Sequence, residues 1–112
     1  MKQLTLRRHP DNLIVTQVRP PAHSGYVLGR SDDNSDFIPD IDLAQFGARE
    51  LGVSRRHAAL VSFQGATHLI DLGSVNGTFL NGKRLISEMP YPVISGNIIR
   101  VGTLQLVIDE DQ

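Results

Sequence analysis

The 112 residues contain no cysteine and no tryptophan, and each absence removes a class of function. Without cysteine there is no disulfide framework, no thiol nucleophile and no thiolate-bound zinc or iron–sulfur cluster. Aromatic residues are scarce, with four Phe and two Tyr, so stacking platforms for single-stranded nucleic acid are few. No charge of one sign dominates: 11 basic against 12 acidic side chains leave a formal net charge of −1. That balance argues against a broad electrostatic grip on nucleic acid or anionic lipid. No apolar run approaches the roughly 18 residues of a membrane span. Met1 to Arg8 interleave polar and basic groups with apolar ones and do not read as a signal peptide. A cytoplasmic location is the expectation from these absences, with no nucleic-acid partner and no membrane contact.

Leu, Ile, Val and Phe supply 35 residues, well above the roughly one fifth below which a charged chain stays disordered. The length favours a single domain over residues 1–112, its core running from about residue 4 to residue 108, and leaves little room for an attached effector.

Short apolar runs cut by turn residues dominate the chain, which holds 10 Gly and 6 Pro. Gln3 to Arg8, Leu13 to Val18, Tyr26 to Leu28, Ala58 to Phe63, His68 to Leu72, Thr78 to Leu80, Arg84 to Ile86, Ile98 to Val101 and Thr103 to Ile108 read as strands. Asn81-Gly82 between two of them is a hairpin signal, because a type I′ turn needs positive φ at both central residues. Strands recurring about every 8 to 12 residues predict an all-β sandwich or barrel. Asp40 to Leu51 has irregular apolar spacing and is interrupted by Gly47, which predicts a loop with one helical turn. Ser31 to Asp42 is the longest turn-rich connection and carries Asp32, Asp33, Asp36, Asp40 and Asp42. Long loops in compact domains are disproportionately functional.

Four short motifs punctuate strand ends: Gly29-Arg30, Ser54-Arg55-Arg56-His57, Gly73-Ser74-Val75-Asn76-Gly77-Thr78 and Asn81-Gly82. Each alone is a turn or a solvated side chain. Together they have a chemical logic. Gly29 frees the backbone, and Arg30 offers a planar fork of donors suited to phosphate. Ser54 adds a hydroxyl donor and Arg55 a second cation. The Asn76 amide can both donate to and accept from an extended peptide backbone.

In this order and spacing the motifs resemble those of the forkhead-associated domain, and the likeness covers about Leu4 to Ile108. The resemblance implies an all-β, two-sheet sandwich of about eleven mostly antiparallel strands, with recognition loops at one end. It implies a non-catalytic phosphothreonine-peptide-binding module acting in Ser/Thr kinase signalling, needing no cofactor and no metal. Its partner would be a phosphothreonine-containing protein or peptide that is a Ser/Thr protein kinase substrate. Carried over residue by residue, Arg30, Ser54 and Arg55 would contact the phosphate and Asn76 the peptide backbone. Gly29, His57, Gly77, Thr78, Asn81 and Gly82 would be structural, with His57 bracing the loops. One position departs from the family. A Thr or Ser usually precedes the Asn, and its hydroxyl helps bind the phosphothreonine; here Val75 stands there. Losing one neutral hydrogen bond costs about 0.5–1.5 kcal/mol, so weaker phosphopeptide binding is expected, with Ser74 as a partial substitute.

Rival readings attach to the same residues. Ser54, His57 and Asp71 could be drawn as a hydrolytic triad, but no nucleophile-elbow pattern surrounds Ser54. Asp32-x-Asn34-x-Asp36 mimics the start of a calcium loop, but Phe37 replaces the required glycine and no Glu follows at the twelfth position. The acidic loop near Arg30 is instead expected to disfavour acidic flanks on a partner. His9, His23 and His68 read as surface residues. The main alternative function is a phosphate-independent interaction module, with Val75 marking a degenerate site.

Overall fold

The computed structural model describes residues 2–111, and its eleven strands form two sheets. The strands are β1 (Gln3–Arg8), β2 (Ile14–Val18), β3 (Tyr26–Gly29), β4 (Ile41–Asp42), β5 (Arg56–Phe63), β6 (Ala66–Asp71), β7 (Thr78–Leu80), β8 (Lys83–Arg84), β9 (Tyr91–Pro92), β10 (Ile98–Val101) and β11 (Leu104–Asp111). One sheet has the order β2-β1-β11-β10-β7-β8 and the other β4-β3-β5-β6-β9. All pairings are antiparallel except that of β3 with β4. Of the sandwich or barrel expected from the strand spacing, the chain forms the two-sheet sandwich that the resemblance implies.

Alternation along the strands makes the core. Leu104, Leu106 and Ile108 of β11 point inward while Gln105 between them is exposed, as a period of two on a half-buried sheet requires. Leu4 and Leu6 of β1, Leu28 of β3, Ala58 and Leu60 of β5, Leu69 of β6 and Ile99 and Val101 of β10 meet them. Each fully buried aliphatic side chain contributes about 1.5–3 kcal/mol of transfer free energy, so the two sheets are held face to face by these residues rather than by surface ion pairs.

The Asn81-Gly82 hairpin forms as predicted, with φ of 49° and 85° and β7 paired to β8. Asp40 to Leu51 likewise holds a single helical turn, the 3-10 segment Ala44–Phe46 closed by Gly47 in the left-handed region, preceded by the short strand β4. Three details differ from the sequence reading. The pair β4 and β9 was not anticipated, since two-residue strands carry no periodicity to read. The run expected to continue to Ile86 pairs as a strand only through Arg84, and Ile86 N–H turns to the Tyr91 hydroxyl instead. His68 is buried rather than on the surface: its Nδ1 lies 2.9 Å from the Ala66 carbonyl and Phe63 packs on its ring at 5.1 Å, near perpendicular.

Backbone hydrogen bonds tie four connections together at one end of the sandwich. Arg30 N–H donates to Arg55 O, Leu72 N–H to His57 O, Gly102 N–H to Gly77 O and Thr103 N–H to Leu51 O. The segments after β3, before β5, between β6 and β7, and between β10 and β11 therefore share one rim.

Candidate functional site: a loop rim built around two arginines

The glycine at the end of β3 is required by packing, not by a special φ. A Cβ on Gly29 would lie 1.8 Å from the Arg55 carbonyl oxygen. The missing side chain lets the β3 end close onto the β5 start, where the pairing shifts register between Leu28 and Gly29. This replaces the backbone-freedom argument for Gly29, and it sets Arg30 directly against the Ser54-Arg55 segment.

Arg30 is anchored there. Its Nε donates to Val53 O at 2.7 Å and its Nη1 to Asp32 Oδ2 at 2.7 Å, leaving the side chain 19% exposed. Arg55 approaches the same carboxylate, with Nη2 3.5 Å from Asp32 Oδ2, and remains 48% exposed. Asp32 also accepts the Asn34 N–H at 2.9 Å. That backbone bond first, and the Arg30 guanidinium second, lower its pKa to about 2.

His57 joins two of the loops. It is fully buried; Nδ1 accepts the Ser54 N–H at 2.9 Å and Nε2 lies 2.8 Å from the Gly77 carbonyl. A backbone N–H on Nδ1 requires the lone pair there, so the proton sits on Nε2 and donates to Gly77. Burial holds this imidazole below its ordinary pKa. Both ring nitrogens are thus bonded to backbone, and neither is directed at the Ser54 hydroxyl as a triad would need.

Asp71 organises the loop between β6 and β7. It is buried, accepts the hydroxyls of Ser74 (2.6 Å) and Thr78 (2.7 Å) and the Gly73 and Ser74 N–H groups (3.1 and 3.3 Å). Burial pushes its carboxyl up, but these donors outweigh that and hold it below the usual range. Ser74 accepts in turn from Gly77 N–H at 3.0 Å. Its single hydroxyl proton is therefore directed at Asp71, and Ser74 is placed as a shaper of the turn.

The tip of that turn faces Ser54. Val75 N–H approaches Ser54 Oγ at 3.4 Å, which leaves the Ser54 hydroxyl proton available to an acceptor. The Val75 side chain is 83% exposed. Asn76 is exposed, and its Nδ2 donates to Gly52 O at 2.9 Å, leaving its carbonyl oxygen directed elsewhere. Gly77 is in the left-handed region at φ 88°, and a Cβ there would meet the Arg84 guanidinium at 2.9 Å.

The residues singled out in the sequence thus form one linked set. Arg30 touches Val53 beside Ser54, Arg55 reaches the carboxylate that Arg30 holds, Ser54 meets Val75, and Asn76 bonds to Gly52 on the Ser54 loop. Asn81 and Gly82 stand apart in the β7–β8 turn, where Asn81 Oδ1 accepts the Ile98 N–H at 2.8 Å. Two residues central to the rim were not anticipated in these roles. Asp71 had a readable signal, an Asp at a strand end two residues before Gly73. Asp32 had none, since nothing in the order of residues distinguishes it from Asp33 or Asp36.

A family model of the FHA domain matches residues 26–102. The chain belongs to the forkhead-associated (FHA) domain family. Among curated relatives, the ABC transporter ATP-binding/permease protein Rv1747 of Mycobacterium tuberculosis is 36% identical over 80 residues, 71% of this chain and 8% of that protein. The oxoglutarate dehydrogenase inhibitor of Corynebacterium diphtheriae is 30% identical over 98 residues, 88% of this chain and 64% of that protein. The FHA chain thus spans less than two thirds of either relative. A solved structure from a structural and functional analysis of phosphothreonine-dependent FHA domain interactions superposes with a TM-score of 0.68, at 24% identity, over 96% of this chain and 95% of its own. At that identity the likeness supports the sandwich fold. Among the described residues no helix is long and apolar enough to cross a membrane.

Proposed function

We propose that this FHA domain binds a phosphorylated threonine in a protein or peptide, without catalysing a reaction, and so makes a protein–protein interaction depend on a Ser/Thr protein kinase. The observation that carries this reading is the convergence of two guanidinium groups on a single anionic oxygen, Asp32 Oδ2, 2.7 Å from Arg30 and 3.5 Å from Arg55. A point that already satisfies a carboxylate from two cations suits a phosphate oxygen, which makes stronger charge-assisted bonds. Arg30 and Arg55 would hold the phosphate, Ser54 would donate its hydroxyl, and Asn76 would bond the peptide backbone beside the phosphothreonine. Gly29, His57, Gly77 and Thr78 hold the loops in register for this, and Ser74 shapes the turn rather than touching the ligand. Nothing in the reading calls for a cofactor, a metal, nucleic acid or a membrane, and its natural setting is the cytoplasm, where protein kinases act.

The test is calorimetric titration of matched threonine and phosphothreonine peptides against wild type and Arg30→Ala. Wild type binds only the phosphorylated peptide, and Arg30→Ala loses about 2–5 kcal/mol of that binding while keeping the far-UV spectrum of the sandwich. Equal binding of both peptides by wild type overturns the reading in favour of a phosphate-independent interaction module.

A further inference from the structure

Asp32 sits where a ligand anion would sit. Its Oδ2 lies 2.7 Å from Arg30 and 3.5 Å from Arg55, and its side chain is only 7% exposed. The carboxylate is carried by the loop that follows β3 and is fixed locally, because Oδ1 accepts the N–H of Asn34 two residues on. It is not needed to hold Arg30, whose Nε is separately bonded to the Val53 carbonyl at 2.7 Å. Taking Asp32 away therefore leaves the arginine anchored and the cations uncompensated.

The consequence is a charge filter. Two guanidiniums and one carboxylate leave the Arg30–Asp32–Arg55 cluster with a single net positive charge. An incoming carboxylate, from Asp or Glu on a partner, exchanges like for like and gains no attraction. A phosphothreonine brings a second negative charge near pH 7 and three acceptor oxygens, so it gains where the carboxylate does not. The geometry points to Asp32 as an internal occupant of the phosphate site, displaced by a phosphothreonine dianion and not by a carboxylate. Asp32 is then a specificity-determining residue: it makes the domain blind to acidic, unphosphorylated partners. This inference rests on the phosphothreonine reading above.

The experiment uses three peptides with identical flanks, carrying threonine, phosphothreonine or glutamate at the central position. They are titrated calorimetrically against wild type, Asp32→Asn and Asp32→Ser. Both variants keep an oxygen that can accept the Asn34 N–H, and thermal melts check that they fold. The expected result is that both bind the phosphothreonine peptide about tenfold more tightly than wild type and acquire measurable binding of the glutamate peptide, which wild type lacks. Selective phosphopeptide binding by wild type with no gain in either variant overturns the inference and leaves the phosphothreonine reading standing. No discrimination between phosphothreonine and threonine by any of the three proteins overturns both. An independent readout on wild type guards against misfolded variants. The Asp32 carboxyl carbon resonance shifts on saturation with the phosphothreonine peptide, and an unmoved resonance overturns the displacement.

Discussion

At the scale of single residues, contact distances decide the roles. That Arg30, Ser54, Arg55 and Asn76 come together on one rim was legible, because polar donors at strand ends stand out in the sequence; the phosphate contacts assigned to them are the proposal. Their neighbours' jobs were not readable, since one-dimensional order says nothing of what a hydroxyl or carboxylate will meet. Ser74 is the plainest case, its proton directed at Asp71 at 2.6 Å. Gly29 is another: a methyl group there would stand 1.8 Å from the Arg55 carbonyl, so Gly29→Ala must push β3 from β5. The expected cost is about 3 kcal/mol, read as a lower urea midpoint with unchanged slope. Val75→Thr should have the opposite character. The position is 83% exposed and beside Ser54, so the change leaves stability within about 0.5 kcal/mol. It adds a donor beside the proposed phosphate site, and a several-fold gain in phosphopeptide affinity is expected from one neutral hydrogen bond. Calorimetry on the paired proteins checks it, and unchanged affinity would show that the hydroxyl cannot reach.

At the scale of elements, the long strands were legible and the shortest were not. Residues 104–108 alternate and announce themselves; Ile41–Asp42 and Tyr91–Pro92 are held by register alone. The acidic connection between β3 and β4 illustrates why composition misleads. Asp40 accepts the Val27 N–H at 2.8 Å, and Asp42 accepts the N–H groups of Ser31 (2.9 Å) and Ala44 (3.0 Å). With Asp32 on Arg30, three of the five aspartates that looked like a partner-facing charge run are bonded within the domain. The turn between β6 and β7 depends in the same way on Asp71. Asp71→Ala strands two hydroxyls and two amides, and an expected loss of about 2–4 kcal/mol follows from leaving buried partners unpaired. Native-state hydrogen exchange should show the amides of Gly73, Ser74 and Gly77 opening first, with phosphopeptide affinity falling alongside. Protection of those amides equal to wild type would mean that another contact shapes the turn.

For the molecule as a whole, acidity acts through two sets of groups at different pH. His57 is buried neutral and its pKa is depressed, whereas in the unfolded chain it titrates at about 6.5. The unfolded state therefore binds the proton first, and stability falls as pH drops below about 6.5, until the folded-state value is passed. Asp32, Asp42 and Asp71 have the complementary sign. Their folded pKa values are lowered, in Asp42 and Asp71 by hydrogen bonds that overcome burial. Their contribution is complete above about 4 and is lost as pH falls through the depressed values. Thermal melts should thus show a first decline as pH falls below about 6.5 and a second below about pH 4, with the His57 ring protons of the folded protein still unshifted where the first sets in. A melting temperature that stays flat down to pH 5 would remove His57 from that role. The sheet margins carry a further consequence. Three of the four border strands, β4, β8 and β9, are two residues long, too brief to template a foreign strand. Lateral growth of the sandwich by a borrowed strand is thereby denied at three of its four margins and left to β2 alone.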